Sequence, residues 1–202
     1  MKPSNVAGSA PERRKADAPP PKPISPTWLE RAALHYLERY SASTEMLRRT
    51  LARRVEKRAR LRGEDPAAFA EMIAATVARA VSAGLVDDVR FTDTRLATLR
   101  RRGTSSRGVS AKLAAKGVPR DVVEAAMQAE REAMPDGAAE EIETQAAQAY
   151  AKRRRLGPYR RPDLRAAYRD RDLAALARAG FAYGLARQVI DMELDTEPAG
   201  AE

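Results

Sequence analysis

The chain has 202 residues, with 37 Lys and Arg against 28 Asp and Glu, a net charge of +9, a single histidine and no cysteine. Without cysteine there are no disulfides or thiolate metal sites, and one histidine, His35, makes no metal cluster. No apolar run approaches the roughly 20 residues of a bilayer span and no signal-peptide core is present, so a cytoplasmic protein away from membranes is expected.

Residues 1–26 hold Pro3, Pro11, Pro19, Pro20, Pro21, Pro23 and Pro26 and almost no large apolar side chains. Such a segment cannot bury enough surface to offset its ordering entropy, which predicts a disordered Pro-rich tail. From Thr27 the composition turns to Ala, Leu, Arg and Glu with few aromatic or β-branched alternations, which is helix-forming. A first helix carries Trp28, Leu29, Ala32, Ala33, Tyr36, Leu37 and Tyr40 as an apolar stripe. Ser41 or Ser43 starts a second, with Met46, Leu47, Leu51 and Val55 inward, running through a basic block to about Leu61. Gly63 and Pro66 interrupt it. A third presents Phe69, Met72, Ile73, Val77 and Val81 and stops at Gly84.

Gly84-Leu85-Val86-Asp87-Asp88-Val89-Arg90-Phe91 closes that pattern and opens another. Leu85 and Phe91 read as apolar anchors around an aspartate pair suited to a helix N-terminus, where a carboxylate accepts free N–H groups and meets the positive end of the dipole. A helix with Leu96 and Leu99 follows, ending in Arg100-Arg101-Arg102-Gly103. A short one with Val109 and Leu113 ends at Gly117, and Pro119 opens a third with Val122, Val123 and Met127. After Pro135-Asp136-Gly137 comes a helix running into Lys152-Arg153-Arg154-Arg155 and Gly157-Pro158, one ending before Gly180, and a last one with Leu185, Val189 and Ile190.

The punctuation repeats. Leu176 to Phe181 mirrors Leu113 to Val118, and Lys152 to Gly157 mirrors Leu99 to Gly103. The expected fold is therefore all-α: three tandem three-helix repeats, over 27–86, 87–132 and 133–194, forming an elongated, curved body with an acidic tail at 195–202.

Three basic blocks recur in successive units, and such blocks imply a polyanionic partner. The candidate contacts are Arg49, Arg53, Lys57 and Arg60; Arg100, Arg101, Arg102, Arg107 and Lys112; and Arg153, Arg154, Arg155 and Arg160. Gly103 to Gly108 is not a phosphate loop, because Val109 and Ser110 stand where Lys and Ser/Thr are needed. His35 reads as packing or half-exposed, Trp28 as a core or edge anchor, and Tyr159 as a candidate for stacking on a base. No nucleophile, base and oxyanion set assembles and no cofactor is implied, so the chain is expected not to be an enzyme.

Gly84, Asp87, Asp88, Arg90 and Phe91 resemble the Gly-Tyr/Leu-Leu-Asp-Asp-x-Arg-Phe signature of the RecX regulatory proteins. Gly117 in Lys-Gly-Val, and Gly180-Phe181 with Ala186 and Ile190 beyond, are similar to that family's later landmarks. Glu45 departs by one position from the family's Ser-x-x-Glu-Leu order. The resemblance implies three tandem three-helix repeats and a monomeric modulator of RecA recombinase. It further implies binding in the groove of the RecA–DNA filament, suppression of ATPase and strand exchange, and no catalytic residues. Contacts to single- and double-stranded DNA would run through phosphates. Two other readings remain open on the sequence: a direct DNA-binding protein with helix-turn-helix-like units at Ser105 to Lys116 and Arg120 to Gln128, and an RNA-binding helical protein.

Overall fold

The computed structural model describes residues 21–135 and 139–193. The expected tail up to residue 20, Asp136 and Gly137 of the expected break, and the acidic tail from 195 lie outside the described residues. Within them all regular structure is helical. Helices α1 (Pro26–Leu37), α2 (Thr44–Arg60) and α3 (Ala70–Ser82) form one unit, and α4 (Asp88–Arg101), α5 (Ser106–Ala115) and α6 (Arg120–Glu132) a second. The third is α7 (Ala139–Arg154), α8 (Arg165–Arg178) and α9 (Tyr183–Asp191), with 3-10 turns at Gly157–Tyr159 and Pro162–Leu164 between α7 and α8.

The helices start where short polar side chains take an otherwise unpaired N–H. Ser25 accepts from Trp28, Ser43 from Met46, Asp87 from Arg90 and Ser105 from Gly108. Each such cap is worth about 1 kcal/mol. Helices α2, α3, α4, α5, α7 and α8 stop in a shared pattern in which one N–H bonds back three residues and the next bonds back five, as at Gly117 to Ala114 and Val118 to Leu113. At the end of α7 this pattern falls on Arg155, whose φ is +54°. Arg155, and not Gly157, is thus the counterpart of Gly103, two residues earlier than the sequence match suggests. An L-residue in the left-handed region costs about 1 kcal/mol, so Arg155→Gly raises stability by about 0.5–1 kcal/mol in urea unfolding, and an unchanged midpoint contradicts this.

Each unit has its own core. The first gathers Leu29, Leu47, Leu51, Val55, Ile73, Val77 and Val86. The second gathers Phe91, Leu96, Leu99, Val109, Leu113, Val118 and Val123, and the third Ala147, Leu156, Leu173, Leu176, Phe181, Val189 and Ile190. Cores this small are marginal alone. Several sequence expectations are corrected here. Val86, and not Leu85, turns inward, leaving Leu85 48% exposed. Tyr40 and Val81 are also exposed, as is His35. The inner end of the expected tail is docked: Ile24 is buried, and the carbonyls of Pro21 and Lys22 accept bonds from Arg62 and Arg58. Trp28 is half-buried against the first core with the Arg58 guanidinium 4.6 Å from its ring centre, as an edge anchor should be.

The joints between units are built twice from the same parts. The Ser43 hydroxyl, already capping α2, donates to the Lys116 carbonyl at the end of α5 at 2.5 Å. The Ser105 hydroxyl, capping α5, donates to the Ala179 carbonyl at the end of α8 at 2.7 Å. The next N–H is also claimed across each joint: Thr44 donates to Asp88 at 2.8 Å, and Ser106 donates to Glu143. Asp87 therefore caps its own helix while Asp88 holds the preceding unit. Gly117 (φ +74°) and Gly180 (φ +95°) sit at the contact. A β-carbon at Gly117 would collide with Glu45 Cγ, and one at Gly180 would lie 2.7 Å from Ser105 Oγ. Among the described residues nothing lies within 4 Å of a β-carbon placed at Gly63, on the corresponding turn at the end of α2.

Candidate nucleic-acid interface

These joints place α8, α5 and α2 head to tail, the N-terminus of each later helix in the column meeting the C-terminus of the one before. Opposite ends of the helix dipoles face each other, a favourable arrangement. Its helices have 14, 10 and 17 residues, which at about 1.5 Å each add up to roughly 60 Å of helix.

Cations mark its whole length. On α2, Arg53 and Lys57 are exposed, one turn apart and without a carboxylate partner among the described residues. Arg49 reaches across the first joint to the Ala115 carbonyl at 3.2 Å. Tyr36, Arg48, Arg49, Arg53 and Lys116 line a shared hollow of about 500 Å³ there. Exposed Lys112 and Arg107 lie on α5, and the Arg107 side chain packs beside Gly180 at the second joint. Arg171 and Arg178 lie on α8.

Glu45 sits over the first joint and binds Arg48 at 2.5 Å and Arg49 at 2.7 Å. The hydrogen bond from Arg48, against some desolvation and with help from Arg49, holds the Glu45 carboxyl down at about 2 from an ordinary 4.5. A depressed carboxylate contributes stability above its unfolded pKa and loses it as pH falls through the folded one. The thermal midpoint should therefore drop between pH 4.5 and pH 2 by more in the parent than in Glu45→Gln; equal drops would remove the joint from this role.

The candidate residues separate in the structure. Arg49, Arg53, Lys57, Arg60, Arg107 and Lys112 belong to the column, although Arg60 is paired with Glu56. Arg101 and Arg102 are exposed at the end of α4, off the column. Arg100 is already engaged. Its side chain is 13% exposed and bridges Glu130 at 2.8 Å and Glu143 at 3.3 Å, tying α4 to α6 and α7. Partly buried between two carboxylates, it serves as a joint between helices. Arg160 is likewise engaged, its guanidinium fork closing on buried Asp172 at 2.7 and 3.0 Å. Arg153 and Arg154 flank the Tyr150 ring at 5.7 and 5.6 Å, and Arg155 is exposed. Tyr159 is partly buried against the third core. Among the signature residues, Phe91 and Phe181 are core, and Arg90 donates to the Gly84 carbonyl, closing the turn.

Arg171 and Arg178 were not legible as site residues. Arg171 lies in an alternating Arg-Asp stretch, Arg169-Asp170-Arg171-Asp172, that reads as a solvated face, and Arg178 stands alone in the Ala- and Leu-rich end of α8. No described helix is long and apolar enough to cross a membrane.

A family model described as RecX, second three-helix domain, matches residues 87–127, which spans α4, α5 and most of α6. The chain is similar to the Regulatory protein RecX of Myxococcus xanthus (strain DK1622), 41% identical over 187 residues, covering 92% of this chain and 96% of that one. It is also similar to the Regulatory protein RecX of Agrobacterium fabrum (strain C58 / ATCC 33970), 28% identical over 173 residues and 86% of each chain. No solved structure matches it.

Proposed function

The chain belongs to the RecX family of regulatory proteins, and we propose that it is a non-enzymatic regulator of recombination and DNA repair that binds in the groove of the RecA–DNA filament. There it inhibits RecA ATPase and strand exchange. The observation that supports this reading best is the column α8–α5–α2, roughly 60 Å of helix joined end to end and carrying cations in all three units. A filament groove is long and lined by protein and phosphates, and a row of small units held by two equivalent joints can follow it over several protomers. Arginines without base-reading partners contact phosphates, so binding is tolerant of sequence and steep in salt. Neutralising about six phosphates gives roughly a thousandfold loss of affinity between about 50 and 200 mM salt.

The test is RecA ATPase on single-stranded DNA with sub-stoichiometric amounts of this chain. Strong suppression at low ratios supports the proposal, and no suppression at excess overturns it.

Helix-turn-helix reading of duplex DNA is disfavoured by α6, its would-be recognition helix. That helix carries Asp121, Glu124, Glu130 and Glu132 against Arg120 and Arg131, and Arg120 is itself paired with Glu124. A net negative helix repels the major groove it would have to enter.

A further inference from the structure

The end of α7 and one face of α8 enclose a cleft of about 530 Å³, lined by Arg154, Leu156, Arg160, Tyr168, Arg171, Asp172, Ala175 and Arg178. Its single carboxylate is spent. Asp172 is 1% exposed, and its oxygens accept the Gly157 N–H at 2.8 Å and both arms of the Arg160 fork. Arg154, Arg171 and Arg178 have no carboxylate partner among the described residues, and they come from two helices onto one space. We propose that this cleft is a phosphate-binding site, with Arg154, Arg171 and Arg178 as the ligands and the Arg160–Asp172 pair positioning the wall they stand on.

The chemistry of the lining selects the ligand. Guanidinium forks match phosphate oxygens and bind them in pairs. The volume lies within the usual range of small-ligand sites, about 300–1,000 Å³, and holds more than one phosphate group. The only aromatic ring in the lining is already engaged, since Arg160 lies 4.5 Å and Arg171 5.8 Å from the Tyr168 ring centre. A base would have to compete with these guanidiniums for the ring, and the lining offers little apolar surface to anchor a peptide side chain. Arg178 stands one residue before the Ala179 carbonyl that receives Ser105, so the cleft adjoins the cationic column at its α8 end. Phosphates of a nucleic-acid strand following that column reach it directly, and a free polyphosphate offers the same oxygens.

The site concerns the isolated chain, so its failure leaves the reading as a RecA regulator standing. The test measures anisotropy of a labelled 20-nucleotide dT strand on the full chain, with Arg171→Gln/Arg178→Gln compared against Arg31→Gln/Arg39→Gln. The second pair removes the same charge from exposed positions at the other end of the row. The cleft variant should lose at least tenfold in affinity at about 100 mM salt, and its salt slope should fall by about 1.4, two single-strand contacts' worth. The control should keep both values within twofold, and circular dichroism should show both variants helical. Equal losses in the two variants, or none in the cleft variant, overturn the site. Tripolyphosphate displacing the strand from the parent but not from the cleft variant supports free polyphosphate as a second source. Failure of tripolyphosphate to compete, with the cleft variant still weakened, assigns the site to strand phosphates alone. Displacement by poly-glutamate as readily as by tripolyphosphate overturns selectivity for phosphate.

Discussion

Asp172→Ala lowers the unfolding free energy of the chain by about 3 kcal/mol, because removing one partner of a buried ion pair strands the other. Three groups depend on this carboxylate: the Gly157 N–H and two nitrogens of Arg160. The Arg160 side chain is 21% exposed, which places the effect at the lower end of the 3–5 kcal/mol range typical of such losses. The damage also spreads through Gly157. That residue is pressed against α9, where a β-carbon would lie 2.8 Å from Ile190 Cα, so α7, α8 and α9 lose a common anchor. Urea unfolding followed by circular dichroism measures it. A loss below 1 kcal/mol shows that the third unit does not depend on this pair.

Arg53→Glu/Lys57→Glu carries the larger functional effect. Both side chains are exposed on α2 with no carboxylate partner among the described residues, so reversing them breaks no ion pair in the unit. Against phosphate it exchanges two attractions for two repulsions, and filament inhibition should weaken on the order of tenfold to a hundredfold. Helicity should be unchanged. Arg49 and Arg60 are poorer probes because Glu45, the Ala115 carbonyl and Glu56 already hold them. RecA ATPase against inhibitor concentration reads the effect, and an unchanged inhibition curve removes α2 from the track.

Helix order and the three-unit repeat were legible because both rest on local signals: apolar spacing, capping serines and aspartates, and glycines at helix ends. The joints were not. The Ser43 and Ser105 hydroxyls donate to carbonyls 73 and 74 residues away, and no local pattern announces such a partner. Asp88 shows the same limit, since its spacing fits a cap for α4 while its oxygen takes the Thr44 N–H of α2. Arg100, Arg101 and Arg102 look alike in sequence. The helical turn aims Arg100 at Glu130 and Glu143 and leaves its two neighbours exposed. In α8 the same rotation of about 100° per residue buries Asp172 and turns Arg171 toward the cleft. Within one charge alternation, Asp170 stays in solvent and Arg169 pairs with Asp191 at the surface, while Asp172 is buried and Arg171 lines the cleft.

The central claim is that one chain engages the filament along all three units at once, through the column of second helices. Because the sequence contains no cysteine, single cysteines at Lys57, Lys112 and Arg178 can each carry a photo-crosslinker without further changes. With RecA assembled on single-stranded DNA, all three positions should crosslink to the filament at comparable yield. Crosslinks from one position alone, with the other two no higher than in filament-free controls, would contradict the account.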